Sequence, residues 1–298
     1  MTTSTDFSGR QRALTVVIPT LGGDSLGRTI GALNSGSVVP AEVLVCIPED
    51  EAQKVAHLSF ENMKVLVTQV RGQVAQRAVG FRSASYPAVM QLDDDMLVDE
   101  RCVERLLDTL GTNGPEVVVA PALVSLTTGE SVYKRPKGHR LLQRAYDRIM
   151  HGRAGYRPGG IDKAGSAIGV DPALVTQRVL AVEWLPGGCV MHHRHNLVLE
   201  DFYPIRGKAY REDVIHSHHL KKRGCRLVVD TEARCRLEPA PLETLAPRES
   251  FTHLAGDFRA RRYCFTLRRH SLLRMGLFYL AWCARYAATR LARSKIAK

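Results

Sequence analysis

The first half of the chain alternates short, continuous apolar runs with amphipathic stretches, and this pattern restricts the fold more tightly than anything else in the sequence. LTVVIP (14–19), EVLVCI (42–47), KVLVTQ (64–69), AVMQLD (88–93) and EVVVAPALV (116–124) are rich in Val and Leu. They show little polar alternation, as befits strands covered on both faces. SLGRTIGALN, EDEAQKVAHLSF, QVAQRAVGFRSAS and ERCVERLLDTL separate them with helical character, the last capped by Asp99 and ended by Gly111. Strand, helix, strand, helix predicts an α/β fold on a mainly parallel sheet with right-handed crossovers. Such sheets bind ligands beyond the C-terminal ends of their strands. Pro19–Thr20, Glu49–Asp50 and Asp93–Asp95 stand at those ends.

Bulk properties narrow the partners. The chain has 298 residues, 45% of them hydrophobic, which supports a large core and excludes global disorder. Its formal net charge is +12. From Arg259 onward it carries eleven Lys or Arg and no Asp or Glu, so the body is close to neutral and the tail is basic. That distribution suits an anionic membrane surface and argues against nucleic acid as a partner. The seven cysteines form no C-x-x-C pair and read as reduced thiols, several of them in the core. MTTSTDFSGRQR lacks the apolar stretch of a secretory leader. No uncharged apolar run reaches the roughly 18 residues of a spanning helix. A cytoplasmic protein, peripheral on the cytoplasmic face of the cell membrane, is expected.

Beyond the fifth strand the pattern loosens. Glycines interrupt a basic stretch between 125 and 180, read as a helix over 139–151 and then a loop. AVEWLPGGCVMHHR (181–194) restores strand character around a Pro-Gly-Gly turn. REDVIHSHHLKKRG (211–224) predicts a helix ended by Gly224, and CRLVVD (225–230) one more strand. Helical segments close the chain from about 249 to 292. The expected division is an α/β domain over 1–248 and a basic helical segment over 249–298.

Two acidic clusters carry candidate chemistry. Alternation in an extended strand would set Asp93 and Asp95 on one side and Asp94 on the other. Converging carboxylates raise each other's pKa unless a cation intervenes. An oxygen-only cluster suits Mg²⁺ or Mn²⁺, and the Gly and later Glu of a Ca²⁺ loop are missing. A solvated turn with a helix cap is the plain alternative. Glu212–Asp213 opens the REDVIHSHHLKKRG helix, whose dipole favours ionised carboxylates, and an ionised Asp in a cleft can act as a general base. Simple helix-end electrostatics is the alternative there. His192, His193, His195, His216, His218 and His219 lack acid or Cys partners in register, so packing or surface positions are expected rather than zinc.

Read in order, TVVIPTLGG (15–23), GQVAQRAVGFRSAS (72–85), QLDDDMLV, WLPGGCVMHHR (184–194) and REDVIHSHHLKKRG resemble the motifs of the family 2 glycosyltransferases, whose nucleotide-sugar-binding fold is called GT-A. The resemblance spans about 14–230. It implies a Rossmann-like mixed, mainly parallel sheet flanked by helices, with a C-terminal helical extension. It implies transfer of a sugar, with inversion, from a nucleotide-diphospho-sugar donor to a glycan or lipid-linked saccharide hydroxyl. By the same resemblance, Mn²⁺ or Mg²⁺ would sit on Asp95 with Asp93 nearby, and Asp93 or Asp94 would contact the donor. Pro19, Thr20 and Gly72 would lie beside the nucleotide, with Arg77 toward the diphosphate or ribose. Asp213 would deprotonate the acceptor, Glu212 would orient it, and Trp184, Gly187 and Gly188 would meet it.

Three departures from the family pattern stand out. The turn that reads the base is CIPEDE, leaving Glu49 or Asp50 for that task. The usual Ala-Arg-Asn appears as Ala75-Gln76-Arg77-Ala78. Where many members place a metal-binding His, TEARCRLEPAP offers Glu238. A sugar-1-phosphate nucleotidyltransferase would want more Arg or Lys than PTLGGDSLGRT supplies, and a non-catalytic glycan-binding protein would not need both acidic pairs.

In the tail, Arg274 and Arg285 are about three helical turns apart and share a face. Leu272, Leu273, Leu277, Phe278, Leu280 and Trp282 supply apolar surface. This resembles an interfacial helix, with packing onto the preceding domain as the alternative. Arg259, Arg261 and Arg262 are alternative ligands for a diphosphate.

Overall fold

The computed structural model describes residues 11–134, 140–152, 155–205, 207–238 and 246–296. Contacts divide the chain into one unit of Met1–Lys134 with Val170–Glu238 and another of Arg135–Gly169 with Pro239–Lys298. This partition differs from a single boundary at 248/249, because Arg135–Gly169 falls with the C-terminal helices.

Among the described residues the first unit holds a nine-stranded sheet. Its strands are β1 (Gln11–Pro19), β2 (Val39–Pro48), β3 (Met63–Thr68), β4 (Ala88–Leu92), β5 (Leu97–Val98), β6 (Val117–Ser125), β7 (Val179–Ala181), β8 (Cys189–His193) and β9 (Arg226–Leu237). The helices of the chain are α1 (Leu26–Asn34), α2 (Gln73–Ser83), α3 (Cys102–Thr112), α4 (Arg140–His151), α5 (Glu212–Lys222), α6 (Pro247–Leu267) and α7 (Leu272–Ile296). Strand order is β3-β2-β1-β4-β8-β6-β9-β5, with β7 on β9. The pairings β1–β2, β2–β3, β1–β4 and β6–β9 are parallel, and β8 runs antiparallel between β4 and β6. The expected mixed, mainly parallel sheet is therefore present. Leu14, Val16 and Ile18 of β1 pack with Ile30 and Leu33 of α1 and Leu106 of α3, while Val17 joins Leu44, Cys46 and Phe81 on the opposite face. Burial on both faces explains the unbroken apolar runs.

Several local expectations are corrected. EDEAQKVAHLSF forms only a short 3₁₀ helix, Glu49–Val55, whose acids pair with Gln69 and Arg71. β4 stops at Leu92, and Asp93–Asp95 make a turn in which Met96 N–H donates to the Asp93 carbonyl at 3.3 Å. Strand alternation therefore does not sort the three aspartates. The Asp99 carboxylate does not cap α3; it is paired with Arg236 of β9. Gly111 does not end that helix, which continues to Thr112. β9 outruns CRLVVD through a register shift in which Pro121 opposes Asp230 and Ala122 opposes Arg234. The fully buried Asp230 holds this bulge, accepting from Thr109 Oγ1 at 2.6 Å and from the Glu232 and Ala233 amides at 3.0 and 3.2 Å.

In the second unit, Arg261 on α6 is buried and donates to the Ala164 carbonyl at 2.8 Å and Ser166 Oγ at 2.9 Å. Its guanidinium lies 4.0 Å from the Phe278 ring centroid on α7. Arg261 thus pins α6 to α7 and is removed from the possible diphosphate ligands. Among the described residues no helix is long and apolar enough to cross a membrane. All seven cysteines are free thiols, six buried and Cys283 exposed.

Candidate active site

The C-terminal ends of β1 and β4 and the start of α2 surround a cavity of about 750 Å³ in the first unit. Pro19 and Thr20 line it from β1, Gly72, Gln73 and Gln76 from α2, and Asp93, Asp94 and Asp95 from the turn after β4. Gly72 has φ +125°, a backbone that favours glycine, and opens α2 so that its N-terminal amides face the cavity. Sequence reading missed several of the lining side chains. Lys54, Arg71 and Lys208 add positive charge, and Gln76 ties the rim together. Gln76 Nε2 donates to the Thr20 and Cys46 carbonyls at 2.8 and 2.7 Å, and its Oε1 accepts from Gly72 N–H at 3.1 Å. The helical spacing of Gln73, Gln76 and Arg77 on one face of α2 was the available signal.

The three aspartates meet different partners. Thr20 Oγ1 donates to Asp94. Asp93 Oδ1 accepts from Gln73 Nε2 at 2.7 Å and Arg77 Nη2 at 3.1 Å. Burial pushes Asp93 up to about 6 against the pull of Arg77, with the charges of Glu212 and Asp95 adding to the rise. Asp95 is raised by burial and then by the neighbouring Asp94. Three adjacent carboxylates on one cavity form an all-oxygen donor set that fits a hard divalent cation completing its shell with water and ligand oxygens. Among the described residues, however, no group of three His, Cys, Asp or Glu is arranged to hold a metal by itself. Glu238 does not supply the third ligand, because its carboxylate accepts from the Thr127 amide at 3.1 Å and from the Thr127 hydroxyl.

Glu212 and Asp213 begin α5, preceded by Arg211 at φ 58°, the one positive φ outside glycine among the described residues. The buried Glu212 accepts from Arg77 Nη1 at 3.1 and 3.2 Å. Asp213 accepts from its neighbour's amide, Val214 N–H, at 2.8 Å. Burial, and then the Glu212 charge, raise Asp213 to about 7. Burial opposes the charge of Arg77, yet Glu212 and Asp93 outweigh it and hold the guanidinium above its ordinary pKa. Asp213, Glu212 and Arg77 are not part of the cavity lining.

The Trp184-x-x-Gly-Gly turn joins both clusters. Asp93 N–H donates to the Gly188 carbonyl at 2.8 Å, and Gln91 Nε2 donates to the Gly187 carbonyl at 2.6 Å. A Cβ at Gly187 would overlap Glu212 Oε1, and one at Gly188 would lie 3.3 Å from Asp93 Oδ2. The glycines thus let the protein's own carboxylates approach. Trp184 is only 4% exposed and packs edge to face with Tyr133, ring centroids 6.0 Å apart, so it offers no open stacking face. Glu49 and Asp50 lie outside the cavity lining, where they accept from Gln69 at 3.0 Å and Arg71 at 2.8 Å. His192 and His216 are buried packing residues, their ring centroids 5.6 Å apart. Burial and then the Arg77 charge lower His192 to about 3, while burial and then His192 put His216 well below its usual value.

Residues 48–161 match a family model described as Glycosyl transferase family 2. No curated protein matches the chain. Among solved structures, the fold is similar to one described as the crystal structure of GalNAc-T7 with UDP, GalNAc and Mn²⁺, with a TM-score of 0.53 and 17% identity. That likeness covers 76% of this chain and 44% of the other, so the chain spans less than half the length of the protein it resembles.

Proposed function

We propose that the chain, with its GT-A fold and its match to the family 2 model over 48–161, is a family 2 glycosyltransferase, and that it moves a sugar from a nucleoside diphosphate to a saccharide hydroxyl with inversion at the anomeric carbon. The observation that carries this reading is the meeting of the two acidic clusters at Arg77, one on an open cavity and the other holding a carboxylate near pH 7. The donor diphosphate occupies the cavity between the start of α2 and Lys54, Arg71 and Lys208. Asp95, with Asp94 and Asp93, would hold Mn²⁺ or Mg²⁺, which would supply Lewis-acid stabilisation of the leaving diphosphate. The similar fold that carries UDP and Mn²⁺ supports this assignment.

Asp213 takes the proton of the acceptor hydroxyl as that oxygen bonds to the sugar's anomeric carbon from the face opposite the diphosphate. The bond from that carbon to the diphosphate oxygen breaks, and the diphosphate leaves with the electron pair. A base with pKa near the working pH combines a useful unprotonated fraction with basicity, and burial brings Asp213 into that range. Trp184, buried against Tyr133, does not stack on the sugar.

The acceptor is a glycan or a lipid-linked saccharide, and the enzyme works from the cytoplasmic face of the cell membrane in the synthesis of cell-surface polysaccharide or glycolipid. Support comes from the second unit, where Leu272, Leu273, Leu277 and Leu280 of α7 are exposed among arginines. A panel of nucleotide sugars, assayed for donor hydrolysis with and without Mn²⁺, tests the catalytic reading. Turnover that needs the metal and disappears in Asp95→Ala is expected, and no metal-dependent turnover with any donor refutes it. Truncation at Arg268 should release the protein from anionic vesicles, and unchanged binding refutes the membrane assignment.

A further inference from the structure

Arg77 stands where two parts of the first unit, 135 residues apart in sequence, are joined by charge. Its Nη1 donates to both oxygens of Glu212, and its Nη2 donates to Asp93 Oδ1 at 3.1 Å. Asp93 belongs to the donor cavity, and Glu212 immediately precedes the proposed base. Resting on the glycosyl-transfer reading, we propose that Arg77 is a positioning residue that sets the base-bearing start of α5 against the donor-side aspartate turn, with Glu212 as its anchor.

Several observations lead there. The Arg77 side chain is 3% exposed and absent from the cavity lining, whereas Gln73 and Gln76 of the same helix face the cavity. A diphosphate in the cavity would therefore meet the glutamines and not the guanidinium. Glu212 has its place because Gly187 leaves room for it: a Cβ there would lie 2.3 Å from Glu212 Oε1. Arg211 enters α5 in the left-handed region, a conformation that persists in a non-glycine residue only where the surroundings over-determine it. Finally, a guanidinium is a rigid planar fork. It can hold two carboxylates at a fixed separation, which the compact charge of a lysine on a flexible stem cannot do. Asp93 is held a second time by Gln73, one turn before Arg77 on α2, so the helix carries both clamps.

The bridge separates two outcomes that a donor-binding arginine would merge. Four proteins are compared: wild type, Arg77→Met, Glu212→Gln and the double variant, with Arg77→Lys alongside. Each single variant should lower kcat by roughly 10- to 100-fold while donor KM moves less than about threefold, and the double variant should be no slower than the worse single one. Arg77→Lys should recover only part of the loss. A second readout needs no turnover. Binding of Mn²⁺ alone, followed by the paramagnetic resonance signal of the free ion, should weaken several-fold in Glu212→Gln, because Arg77 then pairs wholly with Asp93. In the Arg77→Met background the same change should have far less effect. Thermal unfolding confirms that each variant is folded.

Losses that multiply in the double variant, or a donor KM that rises while kcat holds, would overturn the bridge and leave glycosyl transfer standing. No turnover by wild type, with Mn²⁺ affinities that still depend on the 77–212 pair, would overturn glycosyl transfer and keep the bridge as a link to the aspartates. No turnover and identical Mn²⁺ affinities in all four proteins would overturn both.

Discussion

The two acidic clusters are alike in composition and opposite in environment. Asp93–Asp95 lies in a turn on an open cavity, with a hydroxyl on Asp94, an amide and a guanidinium on Asp93, and Asp95 facing the cavity. Glu212–Asp213 lies at a helix start, where Glu212 is spent on Arg77 and Asp213 is left with backbone amides and a high pKa. The difference shows how one chemical group serves two ends. Carboxylates gathered on an open cavity, with Asp93 and Asp95 raised by burial, call for a cation to hold them charged. A carboxylate pressed against another carboxylate in a poorly solvated corner becomes a base that works near neutrality.

The largest test of this contrast is Asp213→Asn. It should cut kcat by about 10²- to 10⁴-fold while leaving Mn²⁺ and donor binding intact in a direct binding titration. Asp95→Ala should do the reverse, abolishing metal-dependent donor binding and with it most turnover. If both variants lose donor binding equally, the division of labour between the clusters fails.

The pH profile sharpens the same comparison. A base raised to about 7 is protonated, and inactive, below that value. The log of kcat should rise with a slope of about one below pH 7 and level off above it, and Asp213→Asn should remove this limb. Gly187→Ala probes the seam between the clusters. Its methyl would displace Glu212, and kcat should fall by roughly tenfold with a loss of about 1–3 kcal/mol of stability in chemical denaturation.

The smallest effect concerns the buried histidines behind Arg77. The His192 pKa is lowered when folded, to about 3 from 6.5, so the folded state resists its protonation. Above about pH 6.5 it adds no pH-dependent cost, and stability is lost as pH falls from there toward 3. His192→Leu should therefore move acid unfolding to lower pH while leaving the neutral-pH melting temperature nearly unchanged, as followed by circular dichroism.

Much of the fold was legible because it rests on local regularities. Continuous Val and Leu runs marked β1, β2, β3, β4 and β6, and the order of five motifs resembled a GT-A fold. The two acidic clusters were found for the same reason: a turn after a strand and a helix start are local events. What local pattern misjudged were the elements settled by distant partners. Asp99 looked like a cap until Arg236 claimed it, and Glu238 looked like a metal ligand until Thr127 did. Trp184 looked like a sugar platform, but Tyr133 covers it.

The sequence by itself determined the alternation of strands and helices and which carboxylates exist at strand and helix ends, because spacing and polarity act over a few residues. Only the tertiary structure decided that Arg77 faces Glu212 and Asp93, that Lys54, Arg71 and Lys208 gather at the cavity, and that Asp213 is half-buried and raised to about 7. Those outcomes depend on which charges meet and how much water reaches them. Both are properties of the packed chain, set by residues up to 135 positions apart.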